Sequence, residues 1–372
     1  MRSFTYAALP QRVVFGAGVR ARVAAEVEGI GAERVLVLST PGHRALAEEV
    51  SRPLGARVVG LFDRVRTHVP QETVDVARRT AEATRADSTL AVGGGSTIGL
   101  GKALALELGL PQIAVATTYS GSEMTANWGI TREGVKQTGR DARAQPRAAL
   151  YDPELTVTLS PRVTATSGMN AIAHCVEALY SVEQNPITSL LAEEGIRALA
   201  AALPRATRKP DDLEARSEAL YGAFLAGAAL GAVPMALHHK LCHTVGGTFD
   251  LPHAEVHTVI LPHAARYNAA AAEEAMARVA RALGVDDGPE GLFDLARSLE
   301  VPTSLEAIGM RREDLDRAAD LAAQNPYPNP RPIERRAIRA LLDDAFNGSR
   351  PERDGRAATF PNVAKSGIHK RC

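Results

Sequence analysis

Two pairs of nitrogen-bearing side chains recur at helical spacing in the second half of the chain. Asn170 and His174 lie four residues apart, and His239 and His243 repeat that spacing. Residues four apart share one face of an α-helix, so each pair presents both side chains in one direction. His253 follows in a Leu-Pro-His turn. Imidazole groups so arranged are typical of divalent-metal sites and of acid–base catalysis, whereas any single one is more often a hydrogen-bonded core histidine.

The chemistry of this group argues against a tightly held metal. The position that should supply an anionic ligand is the amide Asn170, and neutral ligands alone leave a strong Fe2+ or Zn2+ site in doubt. Cys175 and Cys242 adjoin histidines, but neighbouring residues on a helix point about 100 degrees apart and do not face each other. We interpret both as buried thiols.

A glycine turn in the first half has the character of a phosphate-binding site. The segment Leu-Ala-Val-Gly-Gly-Gly-Ser-Thr (90–97) follows an apolar run and precedes a helical pattern. Glycines let a pyrophosphate approach the backbone, and the helix start offers free N–H groups. The pattern is neither GxGxxG nor a Walker loop, so a tight turn without a ligand remains the alternative.

A second polar loop, Thr-Thr-Tyr-Ser-Gly-Ser-Glu-Met-Thr (117–125), follows the next apolar run. Ligands bind at the carboxyl ends of parallel strands, so the two loops together predict one nucleotide cofactor held from both sides. Ser39 stands where an acidic residue would hold a ribose hydroxyl, and no carboxylate there repels a 2′-phosphate. We therefore expect NADPH to be accepted along with NADH.

Alternating elements must position these loops. Apolar runs separated by helical segments predict a doubly wound, Rossmann-like parallel sheet in an α/β domain over residues 1–155. Alanine- and leucine-rich helical stretches predict an all-α domain over 156–348, and a polar, aperiodic segment predicts a disordered tail over 349–372. The predicted strands cover 34–38, 57–62, 89–92 and 112–116, and the predicted helices cover 43–54, 72–84 and 97–108.

Composition excludes several classes of function. The chain has 43 basic and 43 acidic residues among 372, which leaves no electrostatic footprint for nucleic acid or an anionic membrane. Three separated cysteines and the lack of a signal pattern favour the cytoplasm. The uncharged stretch 219–237 has the length of a membrane span, but its alanine, glycine and Pro234 predict a buried core helix instead.

These motifs resemble one known family. The segments GGGSTIGLGK (93–102), TTYSGSEMT (117–125) and HKLCHTVGGTFDLPH (239–253), with the Asn170/His174 pair, are similar to the iron-containing alcohol dehydrogenase superfamily, and within it most to the maleylacetate reductase branch. The metal-dependent members carry an aspartate where this chain has Asn170, another where it has Gly99, and one more residue in the threonine loop. The resemblance implies a dehydroquinate synthase-like architecture and a homodimer.

The resemblance also implies an activity, namely reduction of the carbon–carbon double bond of maleylacetate to give 3-oxoadipate with NADH or NADPH, without a metal. Hydride addition next to a ketone develops an enolate, so the site needs a hydrogen-bond donor and a proton source. We assign His243 to the nicotinamide and the reacting carbons. We assign His253 and His239 to ketone polarisation and proton delivery, with their division of labour open. Asn170 and His174 are expected to bind the substrate or to orient the other rings.

The two substrate carboxylates require local cations in a neutral protein. Lys240 and Arg331, with Tyr327, are the predicted substrate-binding residues, and a solvated surface charge is the alternative for both cations. The predicted cofactor-binding residues are Ser39, Gly93, Gly94, Gly95, Ser96, Thr97, Lys102, Thr117, Thr118, Ser120 and Ser122.

Three other functions stay open at this point. One is a metal-dependent alcohol dehydrogenase that acts on an aldehyde or ketone with His174, His239 and His253 as ligands. Another is a lyase of the dehydroquinate synthase type, which keeps the cofactor domain but recycles its NAD. A non-catalytic or membrane protein that uses the uncharged helix is the third.

Overall fold

The computed structural model describes Phe4, Tyr6 and residues 11–133, 135–324 and 327–353.

A parallel six-stranded sheet forms the centre of the first domain. Its order is β1-β8-β5-β4-β2-β3, and every neighbouring pair is parallel. A separate antiparallel hairpin, β6 and β7, is inserted before the last strand. The strands are β1 (Arg12–Phe15), β2 (Val35–Leu38), β3 (Val58–Phe62), β4 (Ser88–Gly93), β5 (Gln112–Ala116), β6 (Asn127–Arg132), β7 (Val135–Arg140) and β8 (Ala148–Tyr151).

The apolar runs are continuous because both faces of the sheet are covered by helices. In β2, Val35 and Val37 pack into one core cluster, whereas Leu36 and Leu38 pack into another on the opposite face. The helices of this domain are α1 (Val23–Gly29), α2 (Arg44–Ser51), α3 (Gln71–Thr84) and α4 (Gly95–Leu108). The doubly wound sheet is therefore confirmed, and the predicted strand at 112–116 agrees residue for residue with β5.

Helices form the second domain, which confirms the predicted all-α character. Local side-chain caps explain several helix starts, for example Ser160, Asn185 and Asp212, each of which accepts a backbone N–H of the first turn. The helices are α5 (Pro161–Tyr180), α6 (Pro186–Arg208), α7 (Leu213–Ala232), α8 (Leu237–Phe249), α9 (His253–Asn268), α10 (Glu273–Leu283), α11 (Gly288–Ser298), α12 (Leu315–Ala323) and α13 (Arg335–Asn347).

The uncharged stretch 219–237 is not one helix, contrary to the prediction. The helix α7 ends at Ala232, and α8 begins at Leu237 after a 99° change of direction. Pro234 in the connection lacks the N–H that would continue the ladder. Among the described residues no single helix meets the length and hydropathy of a membrane span, and only the bent pair α7 and α8 meets them together. The bend gives His239 and His243 a helix of their own.

Two further segments differ from the sequence analysis. The β6–β7 hairpin was not predicted, and it lies beside α3 and α4. The predicted tail begins with residues that contact the protein, since Arg350 pairs with Asp294 and Arg353 pairs with Asp287. The rest of that tail, from residue 354 onward, lies outside the described residues. The predicted domain boundary at 155 falls in the short connection between β8 and α5.

Candidate active site

The glycine turn and the threonine loop touch each other at the carboxyl ends of β4 and β5. The Thr117 N–H donates to the Gly93 carbonyl at 3.2 Å. A Cβ atom on Gly94 would lie 2.8 Å from Thr118 Oγ1, and one on Gly95 would lie 3.4 Å from Ser120 Oγ. Because no Cβ atom approaches an oxygen that closely, glycine is required at position 94. The two predicted loops therefore form one continuous edge.

Several hydroxyl groups along this edge are buried without a protein partner. Among the described residues, the Oγ atoms of Ser39 and Ser120 and the Oγ1 atoms of Thr97 and Thr117 have no hydrogen-bond partner. Buried polar groups are normally paired, so this concentration indicates a ligand that supplies the partners. The helix α4 also begins without a side-chain cap, which leaves its first N–H groups free for an anion. Ser96 and Ser122 are partly exposed at the same edge. These residues fit a nucleotide cofactor.

Lys102, predicted to bind the cofactor, has a different set of partners. Its ammonium donates to Thr125 O at 2.8 Å, Thr125 Oγ1 at 2.9 Å and Asn127 O at 2.7 Å. The side chain is fully buried, and burial lowers its pKa to about 7 against the opposing charge of Glu123. All three N–H groups are used, so Lys102 fastens α4 to the loop before β6 and has no donor left for a phosphate.

Histidine rings from α5, α8 and α9 converge into one cluster. The ring of His174 stacks on that of His239 with centroids 5.1 Å apart, and the His239 and His257 centroids are 5.0 Å apart. His253 lies 4.4 Å from His257 and 6.2 Å from His243. The predicted catalytic histidines are therefore close together, and His257, which the sequence analysis did not select, lies between two of them.

A buried carboxylate, Glu177 of α5, organises the cluster. Its oxygens accept the His239 Nδ1–H at 2.6 Å and the backbone N–H groups of Ala236 and His238 at 3.0 and 2.7 Å. Burial alone would raise the pKa of Glu177, but the hydrogen bonds from His239 and the start of α8 outweigh it and lower that pKa. The ionised carboxylate therefore caps α8 and fixes His239 with Nε2 pointing away from Glu177.

The cluster and the cofactor edge meet at the threonine loop. Gly121 has a φ of +71°, and a Cβ atom there would lie 3.0 Å from the Gly227 Cα of α7 and 3.5 Å from His174 Nδ1. Glycine is required at this position because a side chain would enter the helix backbone. A ligand in the cofactor edge would therefore end next to the histidine rings.

The rings differ in their access to solvent. His174 and His257 are 3% and 1% exposed, whereas His253 is half-buried and His243 is exposed. Burial lowers the pKa of His174 and of His257 well below the usual value, and neighbouring imidazoles, which disfavour a second protonated ring, add to the effect. The pKa values of His243 and His253 are also lowered. The larger cause is that the surrounding protein removes water from the rings, and the second is the charge of Lys136. These four rings are neutral at pH 7.

The predicted substrate residues are placed less uniformly. Asn170 is 7% exposed, and within the part of the chain that the structure describes its Oδ1 has no hydrogen-bond partner. The ammonium of Lys240 lies 5.7 Å from the centre of the Tyr327 ring. Burial, followed by the charge of Glu177, raises the pKa of Tyr327. Arg331 instead stacks on the Tyr267 ring at 4.2 Å, and no described contact joins it to the histidines.

Sequence reasoning missed five residues of the site. Glu177 is seven residues after Asn170, and His257 is four after His253. Helical spacing therefore puts each of them on the same helix face as a residue that the sequence analysis had selected. His238 Nε2 and His257 Nδ1 share a hydrogen bond of 3.0 Å, next to the Cys242 thiol. The remaining two, His68 and Lys136, come from the first domain, and no local pattern marks either of them. The missed residues are His68, Lys136, Glu177, His238 and His257.

Comparison with known proteins agrees with this construction. The sequence profile described as "Iron-containing alcohol dehydrogenase" matches residues 10–153, and "Fe-containing alcohol dehydrogenase family, C-terminal" matches residues 164–346. A Burkholderia cepacia protein named maleylacetate reductase is 58% identical over 351 residues, which cover 94% of this chain and 100% of that protein. A protein of the same name from Sphingobium indicum is 52% identical over 94% of this chain and 99% of its own length.

Solved structures show the same relationship. The crystal structure of maleylacetate reductase from Agrobacterium tumefaciens has a TM-score of 0.91 and 49% identity, with 94% of this chain and 100% of that chain covered. Since the two profiles together match most of the chain and the relatives align along nearly their whole length, the chain belongs to the iron-containing alcohol dehydrogenase family.

Proposed function

We propose that this protein reduces the carbon–carbon double bond of maleylacetate to give 3-oxoadipate, with NADH or NADPH as the hydride donor. The observation that carries the proposal is the Glu177–His239 pair, which places a carboxylate-backed imidazole in the cluster next to the cofactor edge. The near full-length similarity to proteins named maleylacetate reductase supports the substrate. Assignment to the NAD(P)H-dependent oxidoreductases follows from the same relatives.

The cofactor edge explains how the nicotinamide reaches the reaction. When bound, NAD(P)H supplies a hydride. The start of α4 and the unpartnered hydroxyls of Thr97, Thr117 and Ser120 are suited to its phosphates and riboses, and Gly121 directs that edge toward His174. Ser39, which has no partner for its own hydroxyl, stands in place of an acidic residue at the end of β2. NADPH is therefore accepted as well as NADH.

Three histidines divide the remaining work. Hydride adds to the alkene carbon remote from the ketone, the electron pair moves to the ketone oxygen as an enolate, and a proton on the intervening carbon restores the carbonyl. His243, assigned from the sequence to the nicotinamide and the reacting carbons, and His253 are both neutral. Each therefore offers an N–H hydrogen bond to the oxyanion that develops next to those carbons. His239 is the ring whose Nδ1–H is held by a carboxylate, at 2.6 Å, with Nε2 directed away from it, so we assign the proton delivery to His239.

The substrate itself is held by cations and amides around the cluster. Lys240, above Tyr327, binds one carboxylate, and Asn170 and His174 orient the chain of the substrate. Arg331 is a weaker candidate than it was from sequence, because its guanidinium is stacked on Tyr267. Its role as a carboxylate ligand requires the rest of the loop at 327–332 to direct it inward.

The reaction is independent of a metal in this proposal. Among the described histidines, cysteines and acids, the donor atoms that lie within 4.8 Å of one another belong to His238, Cys242 and His257, and not to the set His174, His239 and His253. Two of those three are already paired with each other at 3.0 Å. With the amide of Asn170 in place of a carboxylate, the donor set does not fit a strong Fe2+ or Zn2+ site.

One spectrophotometric assay tests this function. The purified enzyme is treated with a chelator, its metal content is measured, and oxidation of NADH or NADPH with maleylacetate is followed at 340 nm. Full activity at less than a tenth of an equivalent of iron and zinc is the expected result. Activity that disappears on chelation and returns with Fe2+ or Zn2+ points to the metal-dependent alcohol dehydrogenase, and absence of net cofactor oxidation points to the lyase.

Assembly and location complete the proposal. The enzyme is a homodimer in the cytoplasm, and it acts on a small dicarboxylate without a nucleic-acid or membrane partner. Light scattering of the purified chain, and its recovery from cell extract without detergent, test these statements.

A further inference from the structure

The segment between β3 and α3 is strained where it passes the histidine cluster. His68 and Val69 have φ values of 63° and 50°. A β-branched residue in the left-handed region is a genuine conformational outlier, and such strain concentrates at functional sites. The strain brings the His68 ring to 6.2 Å from that of His253, edge to face. The first domain therefore contributes a ring to the cluster of the second.

The inserted hairpin holds this strained segment in place. Thr131 of β6 donates its hydroxyl to the His68 carbonyl at 2.8 Å and its N–H to the Val69 carbonyl at 3.0 Å. These two bonds satisfy consecutive carbonyls of the left-handed turn. The position of His68 is consequently determined by the hairpin, although the two segments are far apart in sequence.

Lys136 lies directly opposite Thr131 in the hairpin. Side chains of opposite residues in an antiparallel pair project from the same face, so Lys136 is on the face that holds His68. Its Cε atom would lie 3.0 Å from a Cβ atom on Gly129, which also belongs to this face. Lys136 keeps exposed surface, although the surrounding protein partly buries its ammonium and lowers its pKa, and among the described residues no acceptor or carboxylate pairs with that ammonium. It is therefore a cation without a protein partner beside the cluster.

Electrostatic effects agree with this placement. After burial, the charge of Lys136 is the next largest cause that lowers the pKa values of His68, His243 and His253. Asp250, the residue after α8, acts on His68 in the opposite direction. We call the surface formed by Lys136, His68 and Asp250 the wall that faces the catalytic rings. Among the described residues it carries the unpaired ammonium of Lys136, the neutral imidazole of His68 and, at its margin, the carboxylate of Asp250.

From this geometry we infer that Lys136 and His68 form the binding site for one carboxylate of the substrate. The ammonium supplies the charge and an imidazole N–H supplies a directed hydrogen bond, the combination that a carboxylate requires in a protein with no net positive field. Lys240 on α8 serves the second carboxylate from the other side of the cluster. The inference rests on the proposed dicarboxylate substrate and assigns the specificity for it to the hairpin.

Steady-state kinetics of Lys136→Gln test the inference. The KM for maleylacetate is expected to rise at least fivefold, with the KM for NADH unchanged within twofold, and Lys136→Arg is expected to restore most of the affinity. The matched control is Lys209→Gln, which removes an exposed lysine at the end of α6 and should leave both KM values unchanged. A rise below fivefold, or an equal rise in the KM for NADH, overturns the inference.

Two further variants probe the same wall. His68→Asn keeps a residue that tolerates a positive φ while it removes the ring, and its KM for maleylacetate is expected to rise about threefold. Asp250→Asn, also at a positive φ, removes the opposing charge and should lower that KM. Thermal unfolding verifies that each variant is folded. If the wild-type enzyme does not reduce maleylacetate at all, the proposed function fails, whereas unchanged KM values in an active enzyme contradict only the carboxylate site.

Discussion

The strand ends that carry Gly93 and Thr117 present backbone N–H groups and hydroxyls, whereas α5, α8 and α9 present imidazole rings around one carboxylate. The first region, the cofactor edge, is held by the adjacent strands β4 and β5. Its loops come together as soon as these two strands pair in the sheet. The second is held by side chains, because the start of α8 is fixed by hydrogen bonds to Glu177 of another helix.

This difference predicts how each region responds to change. The cofactor edge depends on the absence of side chains, since a single Cβ atom on Gly94 would collide with Thr118. The histidine cluster depends on charge, since an ionised Glu177 lies among rings that must remain neutral for burial to be tolerated. Steric space therefore limits which residues the cofactor edge tolerates, whereas protonation of buried rings limits the stability of the histidine cluster.

Acid should therefore destabilise the histidine region first. The pKa values of His174, His238 and His257 are lowered in the folded state, first by burial. The unfolded chain binds their protons below about pH 6.5, so their stabilising contribution is present above that pH and is lost as pH falls. Each contributes a slope of about 1.4 kcal/mol per pH unit, or about 4 kcal/mol per pH unit for the three together. His68, His243, His253 and His263, whose pKa values are lowered as well, add to this slope. Urea unfolding at pH 7, 6 and 5 measures this slope.

The window between pH 6.5 and 5 separates these rings from the carboxylates, which titrate at lower pH. If the free energy of unfolding changes across this window by less than about 1.4 kcal/mol per pH unit, the slope for one proton, neutral burial of the cluster is contradicted. A slope of three protons or more would support it.

The variant Glu177→Gln tests the organising role of the carboxylate. The amide is similar in size, but it presents N–H groups to His239 or to the start of α8, and it cannot stabilise a protonated ring. We expect kcat to fall about 100-fold, in the range typical of a lost proton donor, with the KM for NADH unchanged. The measurement is the rate of NADH oxidation with saturating maleylacetate.

A matched variant controls for simple loss of a carboxylate. Glu193→Gln removes an acid that pairs with Arg278 and Arg281 on the second domain, outside the cluster. It should retain wild-type kcat. If Glu177→Gln also retains kcat, His239 is not the proton donor, and one of the neutral rings must take that role.

Much of the first region was accessible from sequence because local patterns determine it. The strands at the sheet centre are uninterrupted apolar runs, and three consecutive glycines before a helix leave few alternatives. The hairpin was missed because β6 and β7 are rich in polar residues and glycine, so neither gives an apolar run or a clear alternation. Yet it is the hairpin that positions His68.

The second region was accessible only in part. Spacing identified the Asn170/His174 and His239/His243 faces, but not the direction from which they meet. Glu177 resembles any charged helix residue until the bend at 233–236 is known, because only the bend aims the N–H groups of α8 at its oxygens. Pro234 indicated a break in the helix, but a proline alone does not specify a 99° change of helix direction.

Gly94→Ala should impair the cofactor edge and leave the cluster intact. The new Cβ atom would lie 2.8 Å from Thr118 Oγ1, so the threonine loop must move. We expect the KM for NADH to rise about tenfold, which corresponds to about 1.4 kcal/mol of binding free energy. The control is Gly29→Ala, since a Cβ atom on that glycine of α1 has open space around it. Equal KM values for both variants would place the cofactor elsewhere.

The smallest kinetic effect is expected for Lys102→Met, which separates a structural lysine from a cofactor ligand. The ammonium of Lys102 satisfies oxygens of Thr125 and Asn127, and their loss of a buried partner should cost about 1–3 kcal/mol of stability. The KM for NADH should nevertheless stay within twofold of wild type, because no N–H of Lys102 faces the cofactor edge. A tenfold rise in that KM at unchanged stability would instead return Lys102 to the cofactor site, and the division between a space-limited and a charge-limited region would no longer hold.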